Sequence, residues 1–191
     1  MHPLVRNLIL SAALLMSLNG AIARDAGQSS LPAKWVSRDV QFIYRGVATQ
    51  YSCDGLKNNM LMILQALGAR REDLKVHSSH CSTELDPVSR APGIQATISV
   101  LVPATAAEVA RADPNIVRAH WTRVDLTRTR NLDTAHGQQC ELLEQTQREL
   151  LPLFTSRHLD YSSFCVPNTE VSTGMTFSVE VLEVDSKAAV H

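Results

Sequence analysis

His77-Ser78-Ser79-His80-Cys81 places two imidazoles and a thiol within five residues. Imidazole nitrogens and a thiolate are good ligands for zinc or copper, so His77 and His80 are the candidate metal ligands of this chain. Two features weigh against them. Residues 77 and 80 of a strand point to opposite faces. A related segment, Tyr161-Ser162-Ser163-Phe164-Cys165, carries aromatic residues where the first carries histidines. The remaining histidines within the globular part, His120, His136 and His158, are scattered along the chain.

The four cysteines, Cys53, Cys81, Cys140 and Cys165, carry the next candidate chemistry. Their meaning depends on compartment. Arg6, the apolar run Leu8–Leu18, the break at Asn19-Gly20 and Ala21-Ile22-Ala23 form a secretory signal pattern with cleavage after Ala23. The apolar run is shorter than the ~20 residues of a membrane span. The mature chain is therefore expected in the periplasm or medium, with no transmembrane segment. There, an even cysteine count reads as disulfides, although four cysteines permit three pairings. No C-x-x-C occurs to suggest a redox or zinc site. Cys53 and Cys140 each sit where a helix should start, and Cys81 and Cys165 where the following strand should end. If the strands of each unit run parallel, both junctions lie on one edge of the sheet. That geometry favours Cys53–Cys81 and Cys140–Cys165. Each bridge would close a loop of about 25 to 28 residues, worth roughly 3.5 kcal/mol in the chain-entropy account.

A third candidate is the basic stretch Arg118, Arg123, Arg128 and Arg130 around Trp121. Its expected role is to protect an edge strand from pairing, with contact to an anion or an acidic protein as the functional alternative. With 18 Lys and Arg against 19 Asp and Glu, the chain lacks the cationic excess that a nucleic-acid partner demands. Aromatic residues, 5% of the total, are too few for a base-stacking platform. No G-x-S-x-G, phosphate loop or G-x-G-x-x-G is present, and no cofactor is implied.

The elements that must position these residues follow from periodicity. Val40, Phe42 and Tyr44 alternate in a strand within 35–53, where Arg45-Gly46 is a tight turn making a hairpin or a bulge in one long strand; the interruption is favoured, because a single strand of about 13 residues would be long. Leu56, Met60, Ile63, Leu64 and Leu67 recur at helical spacing over 54–67. Asp54 suits its start and Gly68 its end. Lys57, Asn58 and Asn59 fall on the water side, while Met60 and Met62 read as core filler. Strands follow at 74–80 and 94–102, the latter alternating cleanly through Ile94, Ala96, Ile98, Val100 and Val102. Residues 104–118 form a linker with room for a short helix. A strand over 121–130, a helix over 140–151 that Pro152 ends or kinks, and strands at 159–165 and 177–181 complete the chain.

The order is β-α-β-β, linker, β-α-β-β: two copies of one unit, with related cysteine staples. This predicts an α+β protein with a mainly antiparallel sheet and two helices on one face, and it resembles the ferredoxin-like folds in architecture alone. The expected divisions are 1–23 signal peptide, 24–34 flexible leader, 35–103 first unit, 104–118 linker, 119–185 second unit and 186–191 tail. The functional expectation is a non-catalytic binding or inhibitor module that engages another envelope protein. The alternatives are a periplasmic zinc or copper handler using His77 and His80, or an enzyme whose site is gathered only by folding.

Overall fold

The structure, a computed structural model, describes residues 29–46, 51–81, 91–128, 139–164 and 175–185. It is an α+β fold built on a six-stranded antiparallel sheet. The strands are β1 (Leu31–Ile43), β2 (Lys75–Ser79), β3 (Gly93–Pro103), β4 (Ile116–Asp125), β5 (Ser156–Ser162) and β6 (Thr176–Val184), in the spatial order β2-β3-β1-β4-β6-β5. The first three strands make one side of the sheet and the last three the other. They meet where Leu31–Lys34 of β1 pair with Ile116–Ala119 of β4. The expected signal peptide, the tail 186–191, Arg130 and Cys165 lie outside the described residues. No helix among the described residues is long and apolar enough to cross a membrane.

Helix α1 (Cys53–Ala66) forms where the apolar spacing placed it. Ser52, one residue before the helix, accepts a hydrogen bond from the Gly55 N–H and so caps it. Gly68 takes the left-handed backbone (φ 96°) that ends the helix, a conformation glycine adopts without a Cβ clash. Asn59 is buried rather than on the water side, next to Met60 on the packed face.

The second long helix departs from expectation. It begins as α3 (Cys140–Gln145), widens into a π turn over Thr146–Leu150 and tightens to a 3₁₀ turn at Leu151–Leu153. Pro152 has no N–H to return to Arg148, and its ring crowds that carbonyl, so regular α geometry cannot run through it. The short α2 (Ala106–Ala110) starts with a capping box between Thr105 and Glu108.

Three expectations are corrected. Leu31–Lys34, assigned to a flexible leader, are the beginning of β1, and β1 ends at Ile43, before Arg45-Gly46. Pro32 argued against a strand there. Pairing with β3 starts only at Ala33, however, so the missing Pro32 N–H leaves no ladder bond unmade. Residues 104–118 hold the short helix for which they had room, α2, but the expected linker runs too far, since β4 begins at Ile116. Finally, β4 is no edge strand: β1 and β6 flank it, and the edges are β2 and β5.

The main core lies on the helix side of the sheet. Val40, Phe42, Ile94, Ile98, Phe177 and Val179 alternate towards it, and Leu56, Met60, Ile63, Leu142 and Leu150 close it from the helices. Cys53 and Cys81 are bridged, with Cα atoms 6.0 Å apart, tying the start of α1 to the end of β2. Cys140, buried at the start of α3, is not a free thiol.

Candidate functional site

Among the described residues, the opposite face of the sheet carries no helix. Strand alternation and register put Leu31, Ala33 and Trp35 of β1 on it, beside Leu101 of β3. From β4 come Val117, Ala119 and Trp121, and from β6 Leu182 and Val184. These side chains form a second apolar cluster, in which Ala33, Ala119, Leu101 and Leu182 are buried and both tryptophans are partly so. Each tryptophan lies under an arginine. Arg70, from the turn after α1, sits 5.6 Å from the Trp35 ring centre. Arg157 of β5 sits 4.3 Å from that of Trp121. A guanidinium over an indole is attracted by the negative face of the ring.

The charged groups around this strip are paired with each other. Arg157 Nε donates to Glu180 at 2.6 Å, which holds the Glu180 carboxyl below its ordinary range. Arg123 faces Asp160 at 3.6 Å, and Arg70 faces Glu72 and Asp73 at 3.4 and 3.6 Å. Thr97 donates to Asp39, and Ser99 to Asp73. The face is thus an apolar strip in a rim of neutralised charge, suited to a neutral, partly apolar surface and poorly to a free ion.

The residues singled out in the sequence are placed as follows. Trp121 and Arg123 lie on the helix-free face. Arg118, on the other face of β4, bonds Ser30 through Nε and Nη2. Arg128 pairs with Asp125 at 3.3 Å. The basic stretch is therefore divided between the two faces and does not form one patch. His77 is exposed on β2, opposite Gln95. His80 follows the strand with a left-handed backbone (φ 55°), its Nδ1 3.2 Å from Ser79 Oγ. Among the described residues, no group of three or more His, Cys, Asp or Glu is placed to hold a metal ion.

Two polar clusters sit on the helix side. Lys34 donates to Glu108 at 2.5 Å; with the Thr105 cap, this lowers the Glu108 carboxyl from 4.5 to about 2. Near the start of β1, Asp185 accepts from Ser30 at 2.5 Å and lies 2.7 Å from His120 Nδ1; both contacts lower its pKa.

Sequence reasoning missed Trp35, Arg70 and Arg157. One signal was present: Ala33 and Trp35 stand as far before Ala119 and Trp121 as Leu31 stands before Val117. No family model matches the chain, and neither a curated protein nor a solved structure does.

Proposed function

We propose that this chain is an exported, disulfide-stapled binding module of the cell envelope, built from two copies of one β-α-β-β unit, and that the helix-free face of the sheet contacts another envelope protein. The observation that carries this reading is the pair of arginine-capped tryptophans, Arg70 on Trp35 and Arg157 on Trp121, on that face. Tryptophan and arginine are the side chains most enriched where protein contacts concentrate their energy.

The duplicated unit is supported by the strand order, which reads the same from either edge once β1, β2 and β3 are exchanged for β4, β5 and β6. It is supported again by the central register. Leu31 pairs with Ala119 and Ala33 with Val117, so exchanging each residue for its counterpart in the other half returns the same pairs. Export is supported by the segment 1–23 and by the Cys53–Cys81 bridge, since such bridges persist in oxidising compartments. The second bridge in this reading joins Cys140 to Cys165.

The test is site-specific photo-crosslinking in the producing cell. A crosslinker at Thr97, exposed on the helix-free face, is expected to trap one discrete partner, and the adduct should fade in a Trp35→Ala, Trp121→Ala double variant. The same crosslinker at Asn58, exposed on α1, should not trap it. Equal trapping from both positions, or an adduct indifferent to the tryptophans, would remove this face as the contact surface.

A further inference from the structure

Among the described residues, the longest unpaired backbone edge of this sheet is inside it. β1 pairs with β3 from Ala33 to Ile43, but on its other side it pairs with β4 only from Leu31 to Lys34. Beyond Ile116 the column occupied by β4 holds no strand, so Trp35–Ile43 of β1 border an open slot among the described residues.

The direction of the backbone groups is fixed by their neighbours. The Pro32 carbonyl accepts from Ala104, and the Tyr44 N–H donates to Pro92, both towards β3. Within a strand the N–H and C=O of one residue point the same way, and successive residues alternate. Trp35, Ser37, Asp39, Gln41 and Ile43 therefore aim theirs into the slot. At its far end the next odd residue, Arg45, donates its N–H to the side-chain oxygen of Gln145 at 3.1 Å. Ser37, Arg38 and Asp39 are exposed, so the middle of the edge is open from both faces of the sheet.

The two outer edges are protected by comparison. β2 is short, five residues long. β5 is irregular between Arg157 and Asp160, with His158 in a left-handed conformation (φ 50°). Short strands, bulges and charge are the usual defences of an edge. The β1 edge has only Arg38 and Asp39.

We infer that this edge accepts an extended peptide segment of another protein, added antiparallel to β1 as the continuation of the β4 column. The β4 column itself is the precedent, since residues 116–119 already occupy it in this orientation. The side chains specify the guest. Val36, Arg38 and Val40 line the slot on the helix side, and Arg38 stands opposite the apolar Ile98 on its other flank. The guest places apolar residues beside Val36 and Val40 and an acidic residue beside Arg38. On the other face a basic residue meets Asp39. A second copy of this chain fits poorly: the antiparallel registers using most of the edge, centred on Arg38 or Asp39, set like charges directly opposite, which is destabilising.

The probe is a fluorescent nine-residue peptide with valine opposite Val40 and Val36, glutamate opposite Arg38, lysine opposite Asp39 and threonine elsewhere. It is titrated into the oxidised mature protein while amide exchange is followed. Saturable binding is expected, with exchange slowed at Ser37, Asp39 and Gln41. Ser37→Pro removes an N–H aimed into the slot without touching the β3 ladder, and should weaken binding by about tenfold or more. Arg38→Glu should weaken it about fivefold to tenfold, and a peptide with lysine in place of its glutamate should recover the loss. If Ser37→Pro unfolds the protein, peptide N-methylation at the matching position makes the same test on the native chain. Trp121→Ala should leave this binding unchanged, so this inference and the proposed contact face can fail separately. Four results would each overturn the inference: no saturable binding, unchanged affinity in the proline or methylated pair, exchange slowed at β2 or β5 instead, or a dimer of the free protein dissolved by Ser37→Pro.

Discussion

At the scale of single residues, the most informative groups are those whose chemistry is set by one neighbour. Glu108 is held at about 2 by Lys34 and the Thr105 cap, well under its ordinary 4.5. A carboxyl whose folded pKa is depressed favours the fold above its unfolded pKa and loses that contribution as pH falls through the folded value. Stability should therefore decline from about pH 4.5 towards about pH 2. Glu180 and Asp185 act in the same direction. Urea midpoints across that range should fall less steeply for Glu108→Gln than for the native chain; identical slopes would show that the Lys34 contact does not hold this carboxyl. The hydroxyl of Thr146 is fully buried in the π turn with no hydrogen-bond partner among the described residues. Replacing such a group with a methyl of similar shape removes a desolvation penalty. Thr146→Val is expected to raise stability by about 1 kcal/mol, and a loss of similar size in chemical denaturation would contradict that reading.

Elements differ in how far the sequence alone specified them. α1 was legible because its apolar spacing and Gly68 agree, although its cap is Ser52 and not the expected Asp54, which lies in the first turn. β3 was legible because five apolar residues alternate without a break. The position of β4 was not, because strand order depends on which distant edges meet, and a local charge pattern such as Arg118 to Arg128 also suits a middle strand: Arg118 reaches Ser30, Arg123 reaches Asp160 across β6, and Arg128 turns back to Asp125. The arginine-capped tryptophans on the helix-free face were missed for the same reason: Arg70 reaches Trp35 only through the turn after α1, and Arg157 reaches Trp121 only across β6. Gly68 supplies a prediction at this scale. A Cβ there would lie 3.0 Å from the Leu182 carbonyl oxygen, and the backbone is left-handed. Gly68→Ala should cost about 1–2 kcal/mol, read as a lowered urea midpoint, from strain at the end of α1. Replacing both Cys53 and Cys81 by serine should cost roughly 3 kcal/mol through the freed loop of the unfolded chain. In the single variant Cys53→Ser, labelling should find Cys81 as the free thiol, and a label on Cys140 or Cys165 would refute the pairing of those two.

For the whole molecule, export with removal of residues 1–23 predicts that the intact mass of the extracytoplasmic protein begins at Arg24; a species keeping Met1 would refute it. The narrow junction between the halves has a further consequence. Among the described residues, the strands of the two halves are hydrogen-bonded as a ladder only at Leu31–Lys34 with Ile116–Ala119, whereas the core beneath the helices runs through both. A core shared so widely cannot be divided without exposing apolar surface on each side. A chain nicked between Pro103 and Asn115 should therefore behave as a two-piece protein, its parts co-eluting in native buffer with no peptide bond between them. In denaturant the pieces should drift apart, each keeping its own bridge. Pieces that stay joined there would mean that the cysteines cross between the halves. Pieces that part in native buffer would mean that the connecting peptide, and not the core, holds the molecule together.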